Sequence, residues 1–334
     1  MPQDDTPQDP GGMRPTYDAW PEMAAGAYRN GPGALDVDGI NHVVFAGMGG
    51  SGALGDLAAA LMSGLDMHVS IVKGYNLPRT ADADTLVVCS SVSGDTAETL
   101  TVLSKAAAAS CRTVSFSSGG QMETYCRRNS LPHHTVEARH SPRASFVSFL
   151  YTMLSALDRI TRVPRTDVAE SIRAMERTRD AVTMEGPNPA RDLAGWLSGI
   201  PVVYYPWGFK AAATRFKNSL QENAKTHAMT EDVLEASHNG IVAWESASPA
   251  RPVLIQGPDD NPKTKDRWRV FEEYFGARAI PYRTVRAVDG HILTKLVNLV
   301  YLLDYTTIYL AQMRGVDPTP VDSIDFVRER TAYG

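Results

Sequence analysis

His42-Val43-Val44-Phe45-Ala46-Gly47-Met48-Gly49-Gly50-Ser51-Gly52 is the stretch whose reading decides the fold class. A short apolar run, residues 42–46, ends in glycines, and a helical pattern follows from Leu54 to Met62. A strand that passes through a glycine-rich turn into a helix opens a βαβ unit. Glycines there let the backbone approach a phosphate, and the helix N-terminus offers N–H groups to hold it. The spacing Gly47-x-Gly49-x-x-Gly52 also fits a dinucleotide fingerprint. That fingerprint calls for an Asp or Glu about 20 residues on, at the end of the second strand. The second strand here ends Val72-Lys73-Gly74. The missing acid argues against NAD, and Lys73 leaves an NADP-dependent oxidoreductase as one open reading.

Working outward, the same alternation continues. Val69–Val72, Thr85–Ser90 and Thr113–Ser117 read as strands, Glu98–Ala109 as an Ala-rich helix, and 135–137 as a short fifth strand. Residues 141–160 are helical in pattern, with Ser141 able to cap and Pro142 suited to a first turn. A charged helical stretch, 167–182, reads as a connector rather than a core element. The alternation then restarts: strands at 201–205, 240–244, 253–256 and 282–285, and helices at 211–225, 266–275 and 292–312. Strands alternating with helices imply right-handed crossovers and parallel sheets covered on both faces. The expected fold is α/β, two αβα sandwich domains at 16–160 and 191–334, joined by a helical connector at 161–190. Residues 1–15, rich in Pro, Gln, Asp and Gly, are expected to be a flexible tail.

Composition narrows the role. The chain has 334 residues and a formal net charge of -5, with no basic run. Nucleic-acid backbones need clustered Lys and Arg, so such a partner is not expected. The longest apolar stretch, 296–310, is interrupted by Asn298 and Asp304, whereas a bilayer-spanning helix needs about 20 apolar residues. The N-terminus has neither the basic start nor the apolar centre of a signal peptide. A cytoplasmic protein is expected. Cys89, Cys111 and Cys126 lack metal-ligand spacing and read as reduced structural thiols.

The third strand ends in Ser90-Ser91-Val92-Ser93-Gly94-Asp95-Thr96. Its hydroxyls cluster where a strand turns into a helix, at the sheet end where open α/β folds bind ligands. Taken alone, the segment reads as well as an ordinary Ser/Thr helix cap. Paired with the glycine loop it makes a phosphate site from Gly50, Ser51, Ser91, Ser93 and Thr96 that needs no lysine.

Gly-Gly-Ser-Gly after one strand and Ser-x-Ser-Gly-x-Thr after another resemble the sugar isomerase (SIS) domain. Residues 215–225, Arg-Phe-Lys-Asn-Ser-Leu-Gln-Glu-Asn-Ala-Lys, narrow the resemblance. With Ser237-His238-Asn239, Ser141-Pro142-Arg143-Ala144 and Asp317-Pro318-Thr319-Pro320-Val321, they resemble the bifunctional phosphoglucose/phosphomannose isomerase family. The resemblance spans roughly residues 40–328. It implies an aldose–ketose isomerase acting on hexose 6-phosphates through a cis-enediol, with no redox cofactor and no metal.

Such chemistry needs ring opening, proton transfer between C1 and C2, stabilisation of an enediolate and an anchor for the phosphate. The family motif puts the base at Glu222, which shares a helix face with Arg215 and Ser219. The plain alternative is a surface glutamate paired with Lys225. It also puts the ring-opening histidine at His238, on a loop before an Asn-Gly turn, supplied to the site by the partner subunit. That implies a homodimer. Arg143 would lie over the enediolate; a cation at a helix start gains nothing from the helix dipole.

Three departures stand out. Val92 replaces a usual aromatic. Asp95 replaces a usual Asn and brings a carboxylate toward the phosphate. Arg328 stands nearest to the position of a C-terminal lysine, so Arg328 and Thr319 are only further candidates for substrate contact. Two other readings keep the same loops. A non-catalytic phosphosugar sensor would lose the base and usually carry a basic helix-turn-helix, and the isomerase half of an amidotransferase would need an ammonia-producing domain.

Overall fold

The computed structural model describes residues 9–331. The chain opens with two helices, α1 (Met13–Asp18) and α2 (Trp20–Arg29). The first half then follows as β1 (His42–Ala46), α3 (Gly49–Met62), β2 (His68–Val72), β3 (Thr85–Ser91), α4 (Ala97–Ala108), β4 (Arg112–Ser117), α5 (Gly120–Arg128) and β5 (His133–Thr135). Four helices lead out of it: α6 (Phe146–Ala156), α7 (Asp158–Thr161), α8 (Arg165–Thr183) and α9 (Pro189–Trp196). The second half comprises β6 (Ile200–Tyr205), α10 (Lys210–Glu222), β7 (Met229–Asp232), α11 (Val233–Ala236), β8 (Ala250–Gln256), α12 (Pro262–Ala277), β9 (Arg283–Arg286), α13 (Ile292–Met313) and α14 (Asp322–Thr331).

Two parallel sheets result, as the alternation implies. The first has the order β2-β1-β3-β4-β5 and the second β7-β6-β8-β9. In the first sheet the connections leave in opposite directions from β1 and β3, which pair with Ala46 opposite Cys89. That switch point opens a crevice at the strand C-termini, and the loops after β1 and β3 are the two read as a phosphate site. β1 and β3 are buried on both faces, so their sequences are continuous Val-rich runs. The three cysteines are free thiols in buried positions.

Several expectations need correction. Residues 240–244 are not a strand. They form a 3-10 turn over Gly240–Glu245, whose Trp244 is buried and donates its indole N–H to Tyr204 Oη at 2.8 Å. The strand beside β6 is β7, Met-Thr-Glu-Asp, which lacks an apolar run because it is a sheet edge. The short fifth strand lies two residues earlier than expected, at 133–135. The helix expected from 141 begins at Phe146, after a turn through residues 142–145.

The two ends of the chain also differ from expectation. Residues 1–8 of the expected tail lie outside the described residues, but 13–15 already belong to α1. Met13, Tyr17 and Trp20 are fully buried; Tyr17 stacks on Trp20 at 4.5 Å and Trp20 on Tyr301 of α13 at 5.4 Å. The N-terminal helices are therefore core because their aromatics cover α13.

The stretch read as a connector is core as well. α8 buries Val168, Ala174, Met175 and Val182 and packs along α13. Its polar sequence describes only its outer face. Asn298, an interruption in the apolar run of α13, donates to Thr178 Oγ1 of α8 at 2.6 Å. One continuous apolar core runs from α1 through α3, α6 and α8 to α10 and α13. No helix among the described residues is long and apolar enough to cross a membrane.

If α8 is core, Met175→Ala should destabilise the protein by about 2–4 kcal/mol, the cost of a buried large-to-small change. Its exposed neighbour Glu176→Ala should stay within about 0.5 kcal/mol. Urea unfolding of both variants checks this; equal, small effects would return α8 to the status of a surface connector.

Candidate active site

The glycine loop sits where its sequence requires small residues. A Cβ on Gly47 would stand 3.0 Å from the Ser90 carbonyl oxygen, so the loops after β1 and β3 touch backbone to backbone. A Cβ on Gly50 would lie 3.6 Å from Pro142 O and 3.7 Å from Arg143 Cα. Gly49 adopts a left-handed φ of 52°. Close approach thus brings the first loop onto the backbone of Arg143.

Neither adjoining helix is capped by a side chain. Met48 precedes α3 and Thr96 precedes α4, and neither makes a side-chain cap hydrogen bond. Thr96 Oγ1 instead pairs with Ser91 Oγ at 2.8 Å, and Gly94 N–H donates to Ser91 Oγ at 3.1 Å. Ser93, exposed, accepts from Asp95 N–H at 3.2 Å. The simple Ser/Thr-cap reading of this segment is therefore not what forms. The hydroxyls fold the loop into a turn, and the α4 N-terminus keeps N–H groups free of side-chain caps, which suits an anion.

Asp95 faces the other way. Its Oδ1 accepts the Gln121 N–H at 2.9 Å and so caps the start of α5. Its charge is matched to a helix N-terminus rather than set against a bound phosphate. Val92 is buried and joins the main core. Lys73 does not stand free for a nucleotide phosphate. Its stem lies 3.1 Å from where a Gly52 Cβ would be, and its Nζ pairs with Asp56 at 2.5 Å.

Arg143 is the hub. Only 4% exposed, it donates from Nε to Asn223 Oδ1 at 2.6 Å and from Nη1 to Glu222 Oε2 at 3.3 Å. Its Nη2 donates to Pro318 O at 2.6 Å and Thr319 O at 3.0 Å. All but one of its N–H donors are thereby used, and the one left is on Nη1, the nitrogen facing Glu222. Glu222 ends α10 with its side chain partly exposed. The expected alternative, a surface Glu222–Lys225 pair, is not formed. Lys225, in a left-handed conformation past the helix end, donates to the main-chain O of Glu222 and to Pro320 O at 2.7 Å. Burial first, and the Arg143 charge second, pull the Lys225 amine below its ordinary pKa.

The arrangement thus gathers Gly50, Ser51, Arg143, Glu222 and the main chain of Thr319, with Ser91, Ser93 and Thr96 on the adjoining loop. It leaves two candidates outside. His238 is exposed beyond α11 and has no hydrogen bond to this cluster among the described residues. Arg328 is exposed on α14, a helix with no buried residue, and its nearest carboxylate is Asp325 at 3.5 Å. Thr319 contributes its carbonyl; its hydroxyl is buried against Gly11 without a hydrogen-bond partner. Asn223 and Asp304 were given no role from sequence. The available signal was Asp304 itself, a carboxylate in an apolar helix that requires a buried partner.

No group of three or more His, Cys, Asp or Glu side chains that could hold a metal occurs among the described residues. A cavity of about 830 Å³ between α2 and β5 is lined by Met23, His134 and Thr152 among others and includes none of the candidate residues.

Comparison with known proteins agrees with this layout. The SIS domain family matches residues 39–161, and the bacterial phospho-glucose isomerase C-terminal SIS domain matches residues 187–331. The chain is 26% identical over 327 residues to the bifunctional phosphoglucose/phosphomannose isomerase of Caldicellulosiruptor bescii, covering 93% of this chain and 96% of that one. It is 24% identical over 324 residues to the D-glucosamine-6-phosphate 4-epimerase of Sulfolobus acidocaldarius, covering 96% and 98%. In fold it is similar to a hypothetical protein of Thermus thermophilus, with a TM-score of 0.75 at 15% identity over 97% of this chain and 91% of that one. With two SIS-type halves in series and a charged cluster where they meet, the chain belongs to the bifunctional phosphoglucose/phosphomannose isomerase family of SIS-domain proteins.

Proposed function

We propose that this protein interconverts glucose 6-phosphate and fructose 6-phosphate, and also mannose 6-phosphate, by a cis-enediol proton transfer without a metal or redox cofactor. One observation carries the reading: the Glu222 carboxylate lies 3.3 Å from a buried guanidinium whose own backbone touches the glycine loop. A base, a cation and two adjacent uncapped helix N-termini are what isomerisation of a phosphosugar requires. The relatives named as bifunctional phosphoglucose/phosphomannose isomerases support the substrate class.

In this mechanism the phosphate rests on the N–H groups of the loops at 47–52 and 91–96 and on the Ser51, Ser91, Ser93 and Thr96 hydroxyls. Glu222 takes a proton from one of C1 and C2 and returns it to the other. Arg143 lowers the energy of the enediolate oxygens with the N–H it retains toward Glu222. His238 opens the ring, and the resemblance to the family implies that it does so in the site of a partner subunit in a homodimer. Thr319, whose carbonyl already accepts from Arg143, and Arg328 are further candidates for substrate contact. The activity would place the protein in the cytoplasm, in glycolysis and gluconeogenesis.

Purified protein given fructose 6-phosphate in the presence of EDTA should form glucose 6-phosphate and mannose 6-phosphate. Glu222→Gln should lower kcat by about 10³-fold, within the range for loss of a general base, while still binding substrate. Full activity in that variant would remove Glu222 as base. Conversion of glucosamine 6-phosphate at C4 with no action on fructose 6-phosphate would replace this reading with an epimerase. Thermal stabilisation by fructose 6-phosphate without turnover would replace it with a sensor.

The loops separate phosphate binding from capping. Ser91→Ala and Thr96→Ala should each raise KM about tenfold, the loss of one hydrogen bond to a charged group. Asp95→Ala should cost about 1 kcal/mol of stability as a lost helix cap and leave KM within about twofold. A KM moved by Asp95 alone would shift the anion site to that carboxylate's side of the loop.

The shared site has its own test. Mixed after unfolding and refolding, inactive Glu222→Gln and His238→Ala subunits should recover about a quarter of wild-type activity, because half the dimers are hybrids with one intact site. No recovery would remove His238 from the partner's site.

A further inference from the structure

Beneath Arg143 lies a second, fully buried charge pair that takes no direct part in the mechanism above. Arg215 of α10 donates from Nε and Nη2 to Asp304 Oδ2 of α13, at 3.0 and 2.6 Å. Ser219 Oγ donates to Asp304 Oδ1 at 2.7 Å, and Tyr17 Oη to Oδ2 at 3.1 Å. Asp304 and Tyr17 are 0% exposed, and Arg215 and Ser219 are 3%. The Arg215 guanidinium also lies over Phe146, 4.1 Å from the ring centroid, and over Trp20 at 5.5 Å.

A pair so far from water is a poor source of stability. Desolvating both charges costs about what their attraction returns, and apolar residues of the same volume would often do as well or better. What an apolar set could not do is reach Arg143. Arg215 Nη2 donates a further hydrogen bond to the Arg143 main-chain O at 2.7 Å. From the same turn of α13, Thr307 Oγ1 donates to Asp304 O at 2.6 Å and accepts from Asn223 Nδ2 at 2.8 Å. Asn223 Oδ1 then accepts Arg143 Nε–H. Asp304 and its neighbour thus grip Arg143 twice, by its backbone through Arg215 and by its guanidinium through Thr307 and Asn223.

Resting on the isomerase reading above, we propose that Asp304 is a positioning residue. Its carboxylate holds Arg215 against the Arg143 main-chain O and so keeps Arg143 in register with Glu222, and it never touches substrate. An arginine clamp misplaced by a fraction of an ångström loses transition-state contact more than ground-state binding. The signature is therefore a loss in kcat with KM held.

The test compares wild type with Asp304→Asn, which keeps the volume and removes the charge. Asp304→Asn should lower kcat for fructose 6-phosphate about 10- to 100-fold, with KM within threefold and the folded fraction by circular dichroism unchanged. In the ¹⁵N–¹H spectrum the Arg143 Nε–H, slow to exchange in wild type because Asn223 holds it, should exchange faster in the variant, because Arg215, freed from the carboxylate, no longer fixes the Arg143 backbone against Asn223. If Asp304→Asn fails to fold, Ser219→Ala, which removes one bond to the same carboxylate, should show both effects at about 3- to 10-fold in kcat. An unchanged kcat per folded molecule, or an unmoved Arg143 Nε–H, would overturn the proposal. Absence of isomerase activity in wild type would instead fail the functional reading, while the exchange measurement would still decide whether Asp304 positions Arg143.

Discussion

A guanidinium cannot be buried unless nearly all its N–H groups find acceptors, and much of this molecule is arranged around meeting that demand at Arg143. The acceptors come from two separate parts of the chain, and the donor from a third. Glu222 and Asn223 end α10, and Pro318 and Thr319 belong to the strap after α13. Arg143 itself precedes α6, against the glycine loop of the first sheet. Satisfying one cation therefore fastens the first half of the chain to the second at Glu222.

The same constraint explains the position of Glu222. A right-handed crossover sends α10 antiparallel to β6, so its last turn lies away from the C-terminal ends of the second sheet. Glu222 is thus not in the second sheet's own crevice. It faces the switch point of the first sheet, where the loops after β1 and β3 touch through Gly47 and Ser90. One sheet provides the loops proposed to hold the phosphate, and the other provides, on a helix end, the carboxylate. Each half is incomplete alone.

Much of this was legible in the sequence. Gly47 to Gly52 and Ser91 to Thr96 could be placed on neighbouring strand ends because apolar runs, glycines and hydroxyls in that order have few other uses. The misreadings share one cause: they are positions where tertiary packing overrides local pattern. Gly240–Trp244 looks like a strand because it is apolar, yet Trp244 turns inward to bond Tyr204. Met229–Asp232 is a strand although its sequence is polar, because a sheet edge exposes one side. α8 reads as a solvated connector because only its buried stripe, Met175 and its neighbours, meets α13. Asp304 interrupts an apolar helix, and nothing local says that Arg215, Ser219 and Tyr17 converge on it from other segments. The likeness to sugar isomerases named Glu222 and Arg143; the bond between them, and the carboxylate beneath, came from the packing.

The central claim is that Glu222 carries a proton between adjacent carbons through an enediol held by Arg143. It is tested most directly by running the conversion of fructose 6-phosphate in deuterium oxide and examining C2 of the aldose product by NMR. A carboxylate that holds the proton between two steps exchanges part of it with solvent, so deuterium should appear at C2 and product should cease to form in Glu222→Gln. Turnover with no deuterium at C2, undiminished in Glu222→Gln, would indicate a direct hydride shift and contradict the account.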